Sequence, residues 1–216
     1  MQVAFGLYPG LTMLDFIGPY QVFTNVPDVD VVVCAAQLGP LTDDNGLLTL
    51  DIEHTFADVR TPDITIVPGG FVTRRLARDK DPIVQWIADT DATSTFTTSV
   101  CTGALLLGAA GLLDGLDATT HWCAYDELAS YGARPTEQRV VRQGKIFTAA
   151  GVSAGIDLAL TLVAETHGPE VAQAVQLGIE YDPQPPFDSG SPSKADPGIV
   201  ELVRMISDAQ TERVSD

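Results

Sequence analysis

Cys101 stands in the stretch TFTTSVCTGALLLGAAGLL (residues 95–113), where a β-branched run gives way to one rich in leucine and alanine. A residue at such a corner is raised above a sheet on a sharp strand-to-helix turn. Thr102 comes next, and Gly103 is small enough to let another backbone pass closely. The helix start adds free N–H groups and partial positive charge beside the sulfur, which favours thiolate over thiol. The N–H of Thr102, with that of Gly70 as a second donor, is placed to hold a developing negative charge. The chemistry this predicts is nucleophilic attack by sulfur. The same spacing also suits an inert cysteine buried in a turn, and by itself does not separate the two.

For Cys101 to sit on a sheet rim, strands must alternate with helices, and the periodicity of the chain does this. QVAFGLY, DVDVVVCAA, DITIVPGG and STFTTSV read as strands. GLLTLDI (46–52) reads as a strand of a smaller appended ribbon, and RVVRQGKIFTAAG as two short strands joined across Gln143-Gly144. LDFIGPYQVFTNV reads as a short helix interrupted at Gly18-Pro19, DPIVQWIAD as a helix opened by Pro82, and SAGIDLALTLVAETHG as one stopped by Gly168. PEVAQAVQLGIEY is a further helix opened by proline. Residues 182–198, rich in Pro, Gly and Ser, are expected to be extended, and residues 199–214 to form a last helix. Apolar strands in alternation with helices predict an α/β fold, a single doubly wound, mostly parallel sheet covered on both faces. The expectation is one domain over 1–216. Ligands bind beyond the carboxyl ends of such strands, which puts Gly69, Gly70 and Cys101 on one rim.

Composition narrows the function classes. The 216 residues are 45% hydrophobic, enough for a two-sided core, and mean hydropathy is +0.13. No apolar run is long enough to span a membrane, and MQVAFGLYPG reads as a first strand rather than a signal peptide, so a cytoplasmic protein is expected. Against 12 Lys and Arg stand 29 Asp and Glu, a formal net charge of -17. Such a surface repels nucleic acid, and no basic DNA-binding module lies within these residues. Acid scattered along the chain with scarce lysine suits a cytoplasm of high salt, although an ordinary acidic protein has the same composition. Three cysteines at no metal-like spacing give no reason to expect a metal. Cys34, inside a continuous apolar strand, reads as a small core residue.

LDFIGP (14–19), IVPGG (66–70) and TSVCTGALLLGAAGLLDGLDATTHW (98–122) resemble the ThiJ/PfpI superfamily, relatives of the class I glutamine amidotransferases with a flavodoxin-like fold. With RVVRQGKIFTAAG, AGVSAGIDLALTLVAE (150–165) and QLGIEYDPQPPFDSGSP (176–192), the resemblance is closer to the isonitrile-hydrating branch and covers nearly the whole chain apart from the last helix. It implies a cofactor-free hydratase of a small molecule. In it the nucleophile falls on Cys101, an acid at the end of the first strand on Asp15, and a further catalytic threonine on Thr102. Threonine after the cysteine, where peptidase-like relatives often carry histidine, leaves no adjacent base for a leaving amine. The resemblance further implies a homodimer with active sites near the interface.

On this reading Cys101 attacks the isonitrile carbon while Asp15 gives it a proton and later activates water. Burial against Leu14, Phe16 and Ile17 is expected to raise the Asp15 pKa, although an N-cap is the plainer role for that residue. His121 suits a pocket or a structural role at a strand end. Gly151 and Val152 are expected near the sulfur and could gate the pocket, Phe71 to wall the substrate site, and Trp122 and Tyr125 to be core. His54 and His167 read as surface or cap residues. PPFDSGSP (185–192) reads as a pocket cover or a contact across a dimer. Two rivals remain. One is a thiol-based stress protein (redox sensor, chaperone or glyoxalase/deglycase type), whose members pair the cysteine with glutamate rather than Asp15. The other is a non-catalytic ligand-sensing domain.

Overall fold

The structure, a computed structural model, describes residues 1–214. Its main sheet is built from β1 (Gln2–Gly6), β2 (Asp30–Ala35), β5 (His54–Thr55), β6 (Ile64–Val67), β7 (Phe96–Val100), β10 (Val140–Gln143) and β11 (Ile146–Ala149). These lie in the order β10-β11-β7-β6-β1-β2-β5. All neighbours are parallel except β10 and β11, which form the hairpin expected across Gln143-Gly144. β6 and β7 are buried along their whole length because helices cover both faces. The small ribbon is present too, as β3 (Gly39–Thr42) antiparallel to β4 (Thr49–Ile52). β8 (Asp117–Ala118) and β9 (Arg134–Pro135) make a further two-stranded sheet.

The helices are α1 (Met13–Phe23), α2 (Thr73–Arg78), α3 (Pro82–Asp91), α4 (Gly103–Ala109), α5 (Tyr125–Ser130), α6 (Ala154–His167), α7 (Pro169–Gly178) and α8 (Pro197–Arg213). Pro82 opens α3 behind an Asp81 cap that accepts from the Ile83 N–H at 3.1 Å. Gly168, at φ +88°, ends α6 as expected. The expected interruption of α1 does not occur. The helix runs through Pro19, and packing explains it: Pro19 and Gly18 lie against Gly155 and Ile156 of α6 so closely that a methyl on Gly155 would sit 3.0 Å from Pro19 Cγ. The missing N–H of proline costs α1 one hydrogen bond, offset by a tight crossing with α6. α4 is shorter than its apolar run, since Gly111 turns the chain at φ +81°. The last helix begins at Pro197, two residues before its expected start, and no regular element lies between α7 and α8.

The register brings the carboxyl ends together. Val67 on β6 pairs with Ser99 on β7, and Val100 with Ala149 on β11. The turns that leave β1, β6, β7 and β11 therefore emerge side by side on one rim. They contain Leu7–Thr12, Pro68–Val72, Cys101–Thr102 and Ala150–Ser153.

Candidate active site

Cys101 occupies the corner between β7 and α4 at φ +57°, a left-handed conformation that a residue with a Cβ rarely adopts. Two carbonyls of the β11 end hold it there, Ala149 O and Ala150 O, which accept its N–H at 3.1 and 3.0 Å. From the other side the Thr120 hydroxyl donates to Cys101 O at 2.9 Å. Strain of this kind costs of order 1–3 kcal/mol and persists only where surroundings over-determine it. Gly103 completes the turn: a Cβ there would run into Val67 O and come 2.7 Å from Pro68 O. The expected close approach is thus against the end of β6.

Asp15 comes from the other half of the sheet. It lies in the first turn of α1, rather than at the end of β1, with none of its surface exposed. Its Oδ2 accepts the Gly69 N–H at 2.8 Å, and Oδ1 is buried with no hydrogen bond of ordinary geometry. The Cys101 thiol lies within reach of this carboxyl, so the two groups compete for one proton. Burial raises the Asp15 pKa to about 7, against the pull of the Gly69 N–H and the thiol. Leu14 and Ile17, expected to bury the acid, point outward, at 45% and 38% exposed. The cover comes instead from the Gly69 backbone and Thr102: a methyl on Gly69 would meet Thr102 N at 2.6 Å and Asp15 Oδ2 at 2.8 Å.

The sulfur differs from the expected thiolate. Burial first, then the Asp15 charge, drives the Cys101 pKa well above that of a free thiol. The N–H groups of Val152 and Thr102 reach the sulfur and pull the other way, and they do not win. Gly70, expected as the second donor, spends its N–H on Thr102 Oγ1 at 2.9 Å; Val152 N–H takes that place. The Thr102 hydroxyl returns the bond to Gly70 O at 3.0 Å, tying the start of α4 to the diglycine turn.

Sequence reasoning missed Tyr8. Its hydroxyl, buried beneath the site, donates to Pro68 O at 2.6 Å and so fixes the turn that presents Gly69 and Gly70. The only signal for it was a tyrosine just past the first strand, which any core position would explain.

A cavity of about 200 Å³ opens over the sulfur, with Cys101, Thr102 and Gly70 at its base and Phe71 and Val152 in its wall. His121 borders it, but not as a strand-end base. It caps the Trp122–Ala124 turn, accepting the Cys123 N–H at Nδ1 (3.3 Å), and burial with the Arg74 charge holds its pKa below the usual value. Among the described residues no hydrogen bond joins it to Cys101 or Asp15. Gly151 is needed beside it, since a Cβ there would lie 2.8 Å from His121 Cδ2. Trp122 and Tyr125 are half-buried rather than core, and line a second groove with Pro185 and Phe187 on the far side of His121 and Val152. Cys34 is fully buried, its thiol pushed up to about 12. His54 is exposed on β5, and His167 ends α6 with Nδ1 2.8 Å from Thr166 Oγ1. Among the described residues no three His, Cys, Asp or Glu side chains gather as metal ligands.

A doubly wound sheet with a cysteine on a strained strand-to-helix corner, facing a buried carboxyl from the first helix, defines a protein of the α/β class with a cysteine at its elbow. The chain belongs to the DJ-1/PfpI family, which it matches over residues 1–165. It is 46% identical over 204 residues to the isonitrile hydratase of Pseudomonas putida, covering 94% of this chain and 89% of that protein. A crystal structure of a ThiJ/PfpI family protein from Pseudomonas syringae superposes with a TM-score of 0.92 at 39% identity, over 99% of this chain and 88% of the other. The HTH-type transcriptional regulator CdhR of Pseudomonas aeruginosa is 32% identical over 82% of this chain, which spans 53% of that regulator.

Proposed function

We propose that the protein hydrates isonitriles to N-substituted formamides, with Cys101 as nucleophile and Asp15 as the proton carrier. The observation that carries the reading is the pairing of the Cys101 thiol with a fully buried Asp15 carboxyl whose Oδ1 is otherwise unpartnered. The similarity to the Pseudomonas putida isonitrile hydratase, over nearly all of both chains, names the substrate class.

The proton inventory of the pair suits the reaction. The resting site carries one shared proton, written as Cys101 thiol and Asp15 carboxylate. As the terminal carbon of R–N≡C approaches, Asp15 takes the thiol proton and delivers it to that carbon while sulfur bonds to the same carbon. The product is a thioimidate, Cys101–S–CH=N–R, with Asp15 again ionised. Asp15 next draws a proton from water as the oxygen adds to the carbon, and passes it to nitrogen. The S–C bond breaks, the hydroxyl proton returns to sulfur by way of Asp15, and R–NH–CHO departs. One water is consumed and both residues are restored, an acid-then-base cycle by a single group. A pKa of about 7 lets Asp15 act in both directions at neutral pH. The N–H groups of Thr102 and Val152 steady the sulfur whenever it carries charge. No leaving amine has to be protonated during sulfur attack, so the site needs no histidine beside the cysteine. Thr102 acts by holding the diglycine turn in place.

The half-exposed apolar residues Leu14, Ile17 and Tyr20 on α1 support a homodimer as the working form. The core running beneath the main sheet and its helices supports one domain. No helix is long and apolar enough to cross a membrane among the described residues. The deciding experiment is formamide production from an alkyl isonitrile by wild type and Cys101→Ala, with methylglyoxal consumption and ligand binding measured alongside. Turnover that depends on Cys101 supports the reading. Binding without turnover, or methylglyoxal consumption alone, refutes it.

A further inference from the structure

The chemistry sits in the part of the chain that defines the family, but one side of the cavity does not. Residues 1–165 match the family and contain Cys101, Asp15, Thr102, Phe71 and Val152. The outer side of the cavity is formed by α8, which lies wholly beyond that stretch and contributes Val203, Ile206, Ser207 and Gln210. These positions follow a spacing of three and four residues, so one helical face spans the opening. The face is fixed over the site at several points. Arg204 lies over the Trp122 ring at 5.3 Å, Ser207 bonds the Cys123 thiol, and Arg75 Nε donates to Val214 O just past the helix end at 3.1 Å. Val203 and Ile206 join Phe71 and Val152 as the apolar part of the lining, beside the polar Asp44, Arg74, His121 and Gln210. Both α8 residues are exposed, Val203 at 37% and Ile206 at 49%, and can change size without unsettling the core.

We propose that α8 is the specificity wall of this site, and that Val203 and Ile206 set which isonitrile enters: one whose substituent is apolar and compact. The proposal rests on the hydratase reading for the identity of the reacting group, while the wall itself is a geometric claim. An isonitrile binds carbon-first toward sulfur, so its substituent points outward and must lie against α8. Hydrophobic pockets discriminate single methylene groups by roughly 10-fold or more, and one residue on this face is enough to move the preference.

The test compares kcat/KM for ethyl isonitrile and for the bulky 1,1,3,3-tetramethylbutyl isonitrile in wild type, Ile206→Ala, Ile206→Trp and Val203→Ala. Met205→Ala, on the same helix but outside the cavity, is the control. In parallel, Cys101 is alkylated with iodoacetamide and with its N-benzyl derivative, which reads the wall without turnover. The expected result is a bulky-to-small ratio raised about tenfold by either alanine in the cavity and lowered by tryptophan. Alkylation should follow the same order and Met205→Ala should match wild type. Ratios that stay within about twofold in both assays overturn the wall. Loss of isonitrile turnover in every form, with alkylation still following Ile206, supports the wall and overturns the hydratase reading instead.

Discussion

Asp15→Asn separates chemistry from stability, because the burial that raises this carboxyl's pKa also makes its ionisation costly to the fold. Folding carries the carboxyl from an ordinary pKa of 3.8 to about 7 by burying it. At ~1.4 kcal/mol per unit, that is about 4 kcal/mol of stability lost once the group must ionise in the fold. The sign follows from proton counts. Between pH 4 and 7 the folded chain binds more protons at Asp15 than the unfolded chain does, so the native state weakens as pH rises, and levels off above 7. Asparagine has the same shape, keeps an oxygen for the Gly69 N–H, and never ionises. The stability of the variant relative to wild type is therefore expected to rise by about 2.5 kcal/mol between pH 5 and pH 8, on top of a pH-independent cost of burying the amide N–H groups where Oδ1 has no partner. For a chain of this length the widening corresponds to roughly 5–10 °C in Tm. Isonitrile turnover should fall by at least about 10²-fold, the usual contribution of a positioned acid–base group. The assay is calorimetry of both forms at half-unit pH steps from 5 to 8, beside formamide production. A stability gap that stays flat across this range, or an asparagine enzyme with near-normal turnover, would refute the reasoning.

In wild type, kcat/KM for an isonitrile should rise with pH through about 7, because Asp15 must be ionised to accept the thiol proton; a profile flat from 5.5 to 8.5 would contradict that role. Tyr8→Phe leaves Pro68 O without its buried donor. It should cost about 1–3 kcal/mol in urea unfolding and lower turnover by loosening Gly69 and Gly70, and unchanged values in both would show that the turn holds itself. With a formal net charge of -17, the protein should melt at higher temperature in molar chloride than in dilute buffer, since screening shortens from ~10 Å at 0.1 M to ~3 Å at 1 M. A melting point indifferent to salt would leave the acidic surface without that role.

Much of the architecture could be read from local pattern. Buried parallel strands have to be continuous apolar runs, and proline or glycine at a helix end, as at Pro82 and Gly168, marks where the helix starts or stops, so the alternation of strands and helices was legible. Pro19 was misread because its local cost is real, and only the fit of α1 on α6 outweighs it. The proton on Cys101 was misread for a similar reason. A helix start is visible in sequence, whereas the burial and the facing carboxylate that overrule it come from segments far apart in the chain. The sequence by itself determined which residue types stand on the rim, because strand ends and turns are local. Only the tertiary structure decided what each of them meets: Gly70 its Thr102 hydroxyl, Tyr8 its Pro68 carbonyl, and α8 the cavity it closes. Burial and contact are properties of the assembled chain, and no window of residues contains them.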